Sequence, residues 1–128
     1  MQVIKVGAYV DNINVDPVTG NLWLATVPKI LDIMAYSKNI SHPSASQVLE
    51  VQLGKSSASG IAFPYHKVRG VYRNDGKELS ASTSALVYKS QLLVGTLSTN
   101  MLYCEVKYYW FVRKLTAQKG KEWCACFP

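Results

Sequence analysis

Before residue 107 the sequence never sustains the 3.6-residue apolar period of an amphipathic helix; it alternates in short runs, each cut off by turn residues. A run of period two buries only one of its faces, so such a chain must stack sheets on one another or close one on itself. The runs at Val3–Val6, Asn12–Val15, Asn21–Thr26, Asp32–Tyr36 and Gln47–Leu53 read as strands. So do Lys67–Arg73, Ser84–Lys89, Gln91–Gly95 and Met101–Val106, and the expected class is all-β. Between them, Asp16-Pro17-Val18-Thr19-Gly20 predicts a tight turn, with φ preset at Pro17 and a left-handed exit at Gly20. Asn74-Asp75-Gly76 carries a hairpin signal, and Lys89-Ser90 leaves almost no loop between two apolar runs.

Without Val3–Val6, the strands fall into two groups of four, Asn12 to Leu53 and Lys67 to Val106. Roughly 40–45 residues per four strands is the repeat of a β-propeller blade. A sandwich of eight short strands fits the same length. Residues 54–66, rich in Gly, Ser and Ala, read as the connection between the groups.

The length of 128 residues suits one ordinary domain, and 48% apolar residues exclude a disordered or collagen-like chain. The net charge of +6 is unevenly spread. Residues 1–106 hold nine Lys or Arg against seven Asp or Glu, while Lys107, Arg113, Lys114, Lys119 and Lys121 face only Glu122 in the remainder. A nucleic-acid binder needs its basic residues on one folded face, so no nucleic-acid partner is expected. The start, Met1-Gln2-Val3-Ile4-Lys5, is not a signal peptide. The aromatic run Tyr108–Val112 is far short of the ~20 residues that span a bilayer. Aromatics and lysines together in 107–128 allow association with a lipid or membrane surface.

Few residues carry obvious chemistry. Asp11-Asn12, taken alone, opens a turn or caps a strand. His42 and His66 are the only histidines, neither has a recognisable acid/base partner, and both read as surface residues. Ser56, Ser57 and Ser59 lack a nucleophile elbow, and Ser80–Ser84 reads as a polar turn. Asn39-Ile40-Ser41 fits the N-glycosylation sequon. Cys124 and Cys126 are too close for an ordinary mutual disulfide and lack zinc-knuckle spacing, so Cys104, Cys124 and Cys126 read as three unpaired thiols.

Three stretches, in order, resemble the paraoxonase (arylesterase/lactonase) family: Val10 to Trp23 around Asp11-Asn12 and the DPVTG turn, Ser46 to Gln52, and Ala85 to Thr96. Leu102-Tyr103-Cys104-Glu105-Val106 is similar to the family's C-terminus, so the likeness covers about residues 5–106. The resemblance implies the C-terminal portion of an enzyme, the last two blades of a six-bladed β-propeller. Residues 1–106 would form that portion and 107–128 a divergent basic, aromatic-rich tail.

The implied function is Ca2+-dependent hydrolysis of small aryl esters or lactones, with the metal polarising the carbonyl and a histidine assisting the attacking water. Asp11 and Asn12 match a family pair whose side-chain oxygens bind that calcium. The family's histidine pair would lie upstream, so no catalytic residue is assigned here and the chain alone is expected to be inactive. Cys104 matches a cysteine that bonds to another near the family's N-terminus, a partner expected to be missing here. The resemblance also implies an extracellular or membrane-associated secretory location, in which Asn39 could carry a glycan. Thr26-Val27-Pro28 stands where the family usually has Cys-His-Pro. That departure leaves an alternative open: a non-enzymatic, paraoxonase-like binding or chaperone module.

Overall fold

The computed structural model describes residues 3–55, 64–97, 100–106 and 124–126. The element order is β1 (Tyr9–Val15), β2 (Leu22–Val27), α1 (Ile30–Lys38), β3 (Ser46–Lys55), β4 (Pro64–Asn74), β5 (Ser82–Tyr88), β6 (Gln91–Thr96), β7 (Leu102–Val106) and β8 (Cys124–Cys126). Two four-stranded sheets result, ordered β1-β2-β3-β4 and β5-β6-β7-β8. Every pairing is antiparallel. The all-β reading holds, with one helix added.

The two groups divide differently from the sequence expectation. Lys67–Arg73 lies in β4 and pairs with β3, so it completes the first sheet rather than opening the second. Asp32–Tyr36 is helical, inside the nine residues of α1. Leu31, Met34 and Ala35 are good helix formers, Asp32 sits in the first turn and Lys38 in the last, as the helix dipole favours. A mostly apolar run of five residues, which fits strand and helix alike, could not outweigh that. Val3–Val6 joins no sheet, though Ile4 and Val6 still pack against one.

The first two turns explain their sequences well. Asp16 accepts from the backbone N–H of Val18 at 2.9 Å and from the Thr19 hydroxyl at 2.7 Å, and Gly20 takes φ +74°. The β5–β6 hairpin turns on Lys89 and Ser90, both left-handed at φ +47° and +66°, the geometry of a type I′ turn. Asn74-Asp75-Gly76 is no hairpin, because β4 and β5 belong to different sheets. Gly76, at φ +94°, is pressed against the backbone of Ser44, and a Cβ there would lie 2.7 Å from its N, C and O atoms.

Between the sheets lies the main core. Trp23, Ala25, Val48 and Val71 from the first sheet, with Tyr72 and Leu79, meet Ala85, Leu92, Val94, Leu102, Cys104 and Val106 from the second. A bulge between Val48 and Leu49 on the β3–β4 ladder lets Val71 and its neighbour Tyr72 both be buried. The other face of the first sheet shows Leu24, Leu49 and Val51, covered by Ile4, Val6 and Ala8 of the N-terminal segment. On the second sheet Leu86, Tyr88 and Tyr103 are exposed.

Candidate functional site

β1 is the edge strand of its sheet, nearly all of it exposed, yet it lies beside β5 of the other sheet. Its ladder with β2 runs Tyr9↔Val27 and Val10↔Thr26, then breaks, and resumes at Ile13↔Leu24. Asp11 and Asn12 are the two residues inside that bulge. A bulge re-aims the side chains that it carries, and here it frees both from the strict alternation of the strand.

Asn12 is then held from the second sheet. Its Nδ2 donates to the carbonyl of Thr83 in β5 at 2.7 Å and to Oδ1 of Asp11 at 2.9 Å. With its donors engaged, the amide presents Oδ1 as an acceptor that has no partner among the described residues. Two residues on, Asn14 repeats the device and donates to the carbonyl of Ala85 at 2.8 Å. Alternate side chains of β1 thus bridge to alternate carbonyls of β5. Thr83 is a site residue that sequence reasoning missed, since a backbone acceptor leaves no mark on residue identity.

The arrangement offers carboxylate and amide oxygens at adjacent positions, a donor set suited to a hard cation such as calcium. It offers two ligand residues where calcium takes roughly six to eight oxygens. Among the described residues no group of three His, Cys, Asp or Glu could hold a metal. His42 follows the exposed turn after α1, and His66 lies on β4, three strands from β1, or roughly 14 Å at ordinary strand spacing. The structure therefore does not bring His66 to Asp11. Val27, which stands where the resemblance expects histidine, is buried opposite Tyr9, one residue before Val10 and the start of the bulge.

The serines separate as well. Ser56, Ser57 and Ser59 lie outside the described residues. Ser82 is buried and structural: its N–H donates to the Ser46 hydroxyl at 3.0 Å and its hydroxyl to the Thr26 carbonyl at 3.0 Å. A cavity of about 370 Å³ opens between the end of α1 and the turn after β4, lined by Tyr36, Ser41, Lys77, Glu78, Ser80 and Thr96 among others. Neither Asp11 nor Asn12 reaches it. Asn39 is exposed just past α1, and its Oδ1 accepts the Ser41 N–H at 3.0 Å.

Cys104 is 1% exposed and disulfide-bonded, not the free thiol that the residues alone suggest. The strand that holds it, β7, pairs along its backbone with β8. Among the described residues no helix is long and apolar enough to cross a membrane.

Comparison with known proteins bears on this bulge and its surroundings. The family model for arylesterases matches residues 1–106. Serum paraoxonase/arylesterase 2 of Rattus norvegicus is 36% identical over 106 residues, covering 83% of this chain and 27% of its own length. Serum paraoxonase/arylesterase 1 of Homo sapiens is 42% identical over 97 residues, covering 76% of this chain and 25% of its own length. Serum paraoxonase/lactonase 3 of Homo sapiens is 33% identical over 106 residues, with 83% and 27% covered. The chain spans about a quarter of the length of these curated relatives.

Proposed function

The chain belongs to the arylesterase family, and from that premise we propose that Asp11 and Asn12 contribute to the Ca2+ site of a hydrolase acting on small aryl esters or lactones. The observation that carries this reading is the bond from Asn12 Nδ2 to the Thr83 carbonyl, which fixes the amide with Oδ1 outward beside the Asp11 carboxylate. Fixing the amide in advance removes the ordering cost that a freely rotating Asn would bring to a metal. Bound calcium would supply Lewis-acid polarisation of the ester carbonyl. The role of this chain is to hold two of its oxygen ligands and to aim them from the seam between two sheets.

The two sheets, each a simple meander, are in this reading neighbouring blades of a propeller. Adjacent blades meet face to face, and the innermost strand of each lines a central channel. β1 and β5 lead their sheets, and the bulge of β1 faces β5, as a channel-lining pair should. The names of the relatives favour an aryl ester or lactone substrate and a serum or other extracellular setting. Asn39 is the candidate glycan acceptor in that setting. It is exposed, and its Oδ1 is turned back onto the Ser41 N–H, which leaves Nδ2 outward.

With only two ligand residues, residues 1–128 alone are expected to show background hydrolysis. The test is a fusion in which the N-terminal blades of the human serum paraoxonase/arylesterase 1 precede this chain. Aryl acetate or lactone turnover that needs calcium and falls at least a hundredfold in Asp11→Ala is the expected result. A folded fusion that stays inert would overturn the hydrolase reading and favour a non-enzymatic binding module, for which buried Val27 in place of histidine would be the cause.

A further inference from the structure

The bulge in β1 leaves Asp11 and Asn12 without regular rungs on β2, so that ladder does not by itself hold them in place. Pairing resumes at Ile13↔Leu24 and Asn14↔Trp23. Opposed residues of neighbouring strands share a face, and Trp23 belongs to the core between the sheets. Asn14 therefore lies on the side of β1 that looks toward β5, half-buried where Asn12 is exposed. β5 is the edge strand of its sheet, and an edge strand leaves alternate carbonyls without a ladder partner. Those of Thr83 and Ala85 accept instead from side-chain amides of β1, Asn12 at 2.7 Å and Asn14 at 2.8 Å.

These two bonds work as one device. The donors are two residues apart on β1 and the acceptors two residues apart on β5, a rise of roughly 6.8 Å along each strand. Both rungs therefore close only at one register, and a slide of β1 along β5 would break them together. Their strengths differ. Water can compete for the amide of exposed Asn12, so the Thr83 bond alone holds that side chain weakly. Asn14 is partly screened from water, and its bond anchors the strand from within the seam.

We propose that Asn14 is the positioning residue of the candidate metal pair: its amide locks β1 against β5 at the register in which Asn12 meets the Thr83 carbonyl, and so keeps Asn12 Oδ1 beside the Asp11 carboxylate. The consequence for a metal rests on the reading of Asp11 and Asn12 as calcium ligands; the lock itself needs no metal. Asn14 acts only through Asn12. Asparagine suits the task because its amide has N–H groups to give to a carbonyl. Aspartate has nearly the same shape but, once ionised, only acceptors, and it would set a negative charge against the Ala85 carbonyl.

The experiment is NMR relaxation of the asparagine side-chain amides in the complete chain, without metal. In the unaltered protein the Asn12 and Asn14 amides should both be rigid, with order parameters close to the strand-backbone value of about 0.85. In Asn14→Ala and Asn14→Asp the Asn12 amide should loosen to below about 0.6, while the backbones of β2 and β3 stay ordered. A bond that merely added stability would lower the melting temperature and leave Asn12 as rigid as before. A second readout uses the fusion described above. There Asn14→Ala should raise the calcium needed for half-maximal turnover by about three- to tenfold, with turnover at saturating calcium within about twofold of the parent. A mobile Asn14 amide in the unaltered chain, an Asn12 amide that stays rigid in both variants, or an unchanged calcium requirement in an active fusion would each overturn the proposal. Failure of the calcium reading shows separately, as a fusion whose turnover is indifferent to Asp11→Ala.

Discussion

Glu50 and Arg69 meet at 2.5 Å across β3 and β4, and the Glu50 side chain is only 2% exposed. Arg69 Nε donates to the same carboxylate oxygen at 2.8 Å, while Asn21 Nδ2 donates to the other at 2.9 Å. Gln52 adds a longer bond of 3.3 Å. A buried carboxylate is tolerable only when its charge and its lone pairs are met, and here three donors, one from each of three residues, and the charge of Arg69 meet them.

Arg69→Leu should therefore be severely destabilising, by about 3–5 kcal/mol, because it strands a buried charge. The midpoint of thermal unfolding should fall by more than about 10 °C. The double replacement Glu50→Gln with Arg69→Leu should recover a large part of that loss. A single variant that melts like the wild type would show that the pair contributes nothing.

Gly76→Ala should cost at least ~2 kcal/mol. It forces a side chain into φ +94° and drives its Cβ to 2.7 Å from the Ser44 backbone, which cannot swing aside. Gly20→Ala offers the control: it shares a positive φ, +74°, but meets nothing within 4 Å. Its cost in chemical denaturation should be no more than about 1–2 kcal/mol, from conformation alone.

Ser90→Gly should stabilise the chain by about 0.5–1 kcal/mol. Ser90 and Lys89 both sit at positive φ in the β5–β6 turn, where an L side chain is strained and glycine is not. The denaturation midpoint should rise with an unchanged slope.

Asp16 gives the chain a small acid sensitivity. The Thr19 hydroxyl, and then the Val18 N–H, hold its carboxyl below the usual aspartate value. A group whose folded pKa is depressed stabilises above its unfolded pKa, and this contribution disappears as pH falls through the folded one. The window thus opens near roughly pH 4 and extends downward. Melting temperatures measured from pH 6 to pH 2 should fall less steeply below pH 4 in Asp16→Asn than in wild type.

The sequence showed the strands because they are half-buried ladders, in which period two is imposed by the pleat. The DPVTG turn and the Lys89-Ser90 hairpin were legible for the same reason: each is fixed by neighbours within five residues. α1 was not, since Asp32–Tyr36 is a short, mostly apolar run that fits strand and helix alike, and only Tyr36 is buried by the helix. The sheet boundary was misplaced because nothing local tells whether Lys67–Arg73 turns back onto β3 or forward onto β5. The pair Asp11-Asn12 was legible only by resemblance. The bulge that presents it arises in the pairing of β1 with β2, and the Thr83 carbonyl that aims it lies 71 positions along the chain.

Both sheets are meanders, with each strand bonded to the next in sequence, and β5 turns into β6 through two residues. Native contacts of this kind close short loops, so little chain entropy must be given up before each ladder begins to repay it. β8 is the exception, reached from β7 only after residues 107–123. On the folding pathway, then, the two meanders should assemble and dock early, and β8 should join last, onto an edge already formed. Variants in the β5–β6 hairpin would accordingly change the folding rate, whereas variants in β8 would speed unfolding and leave folding almost untouched.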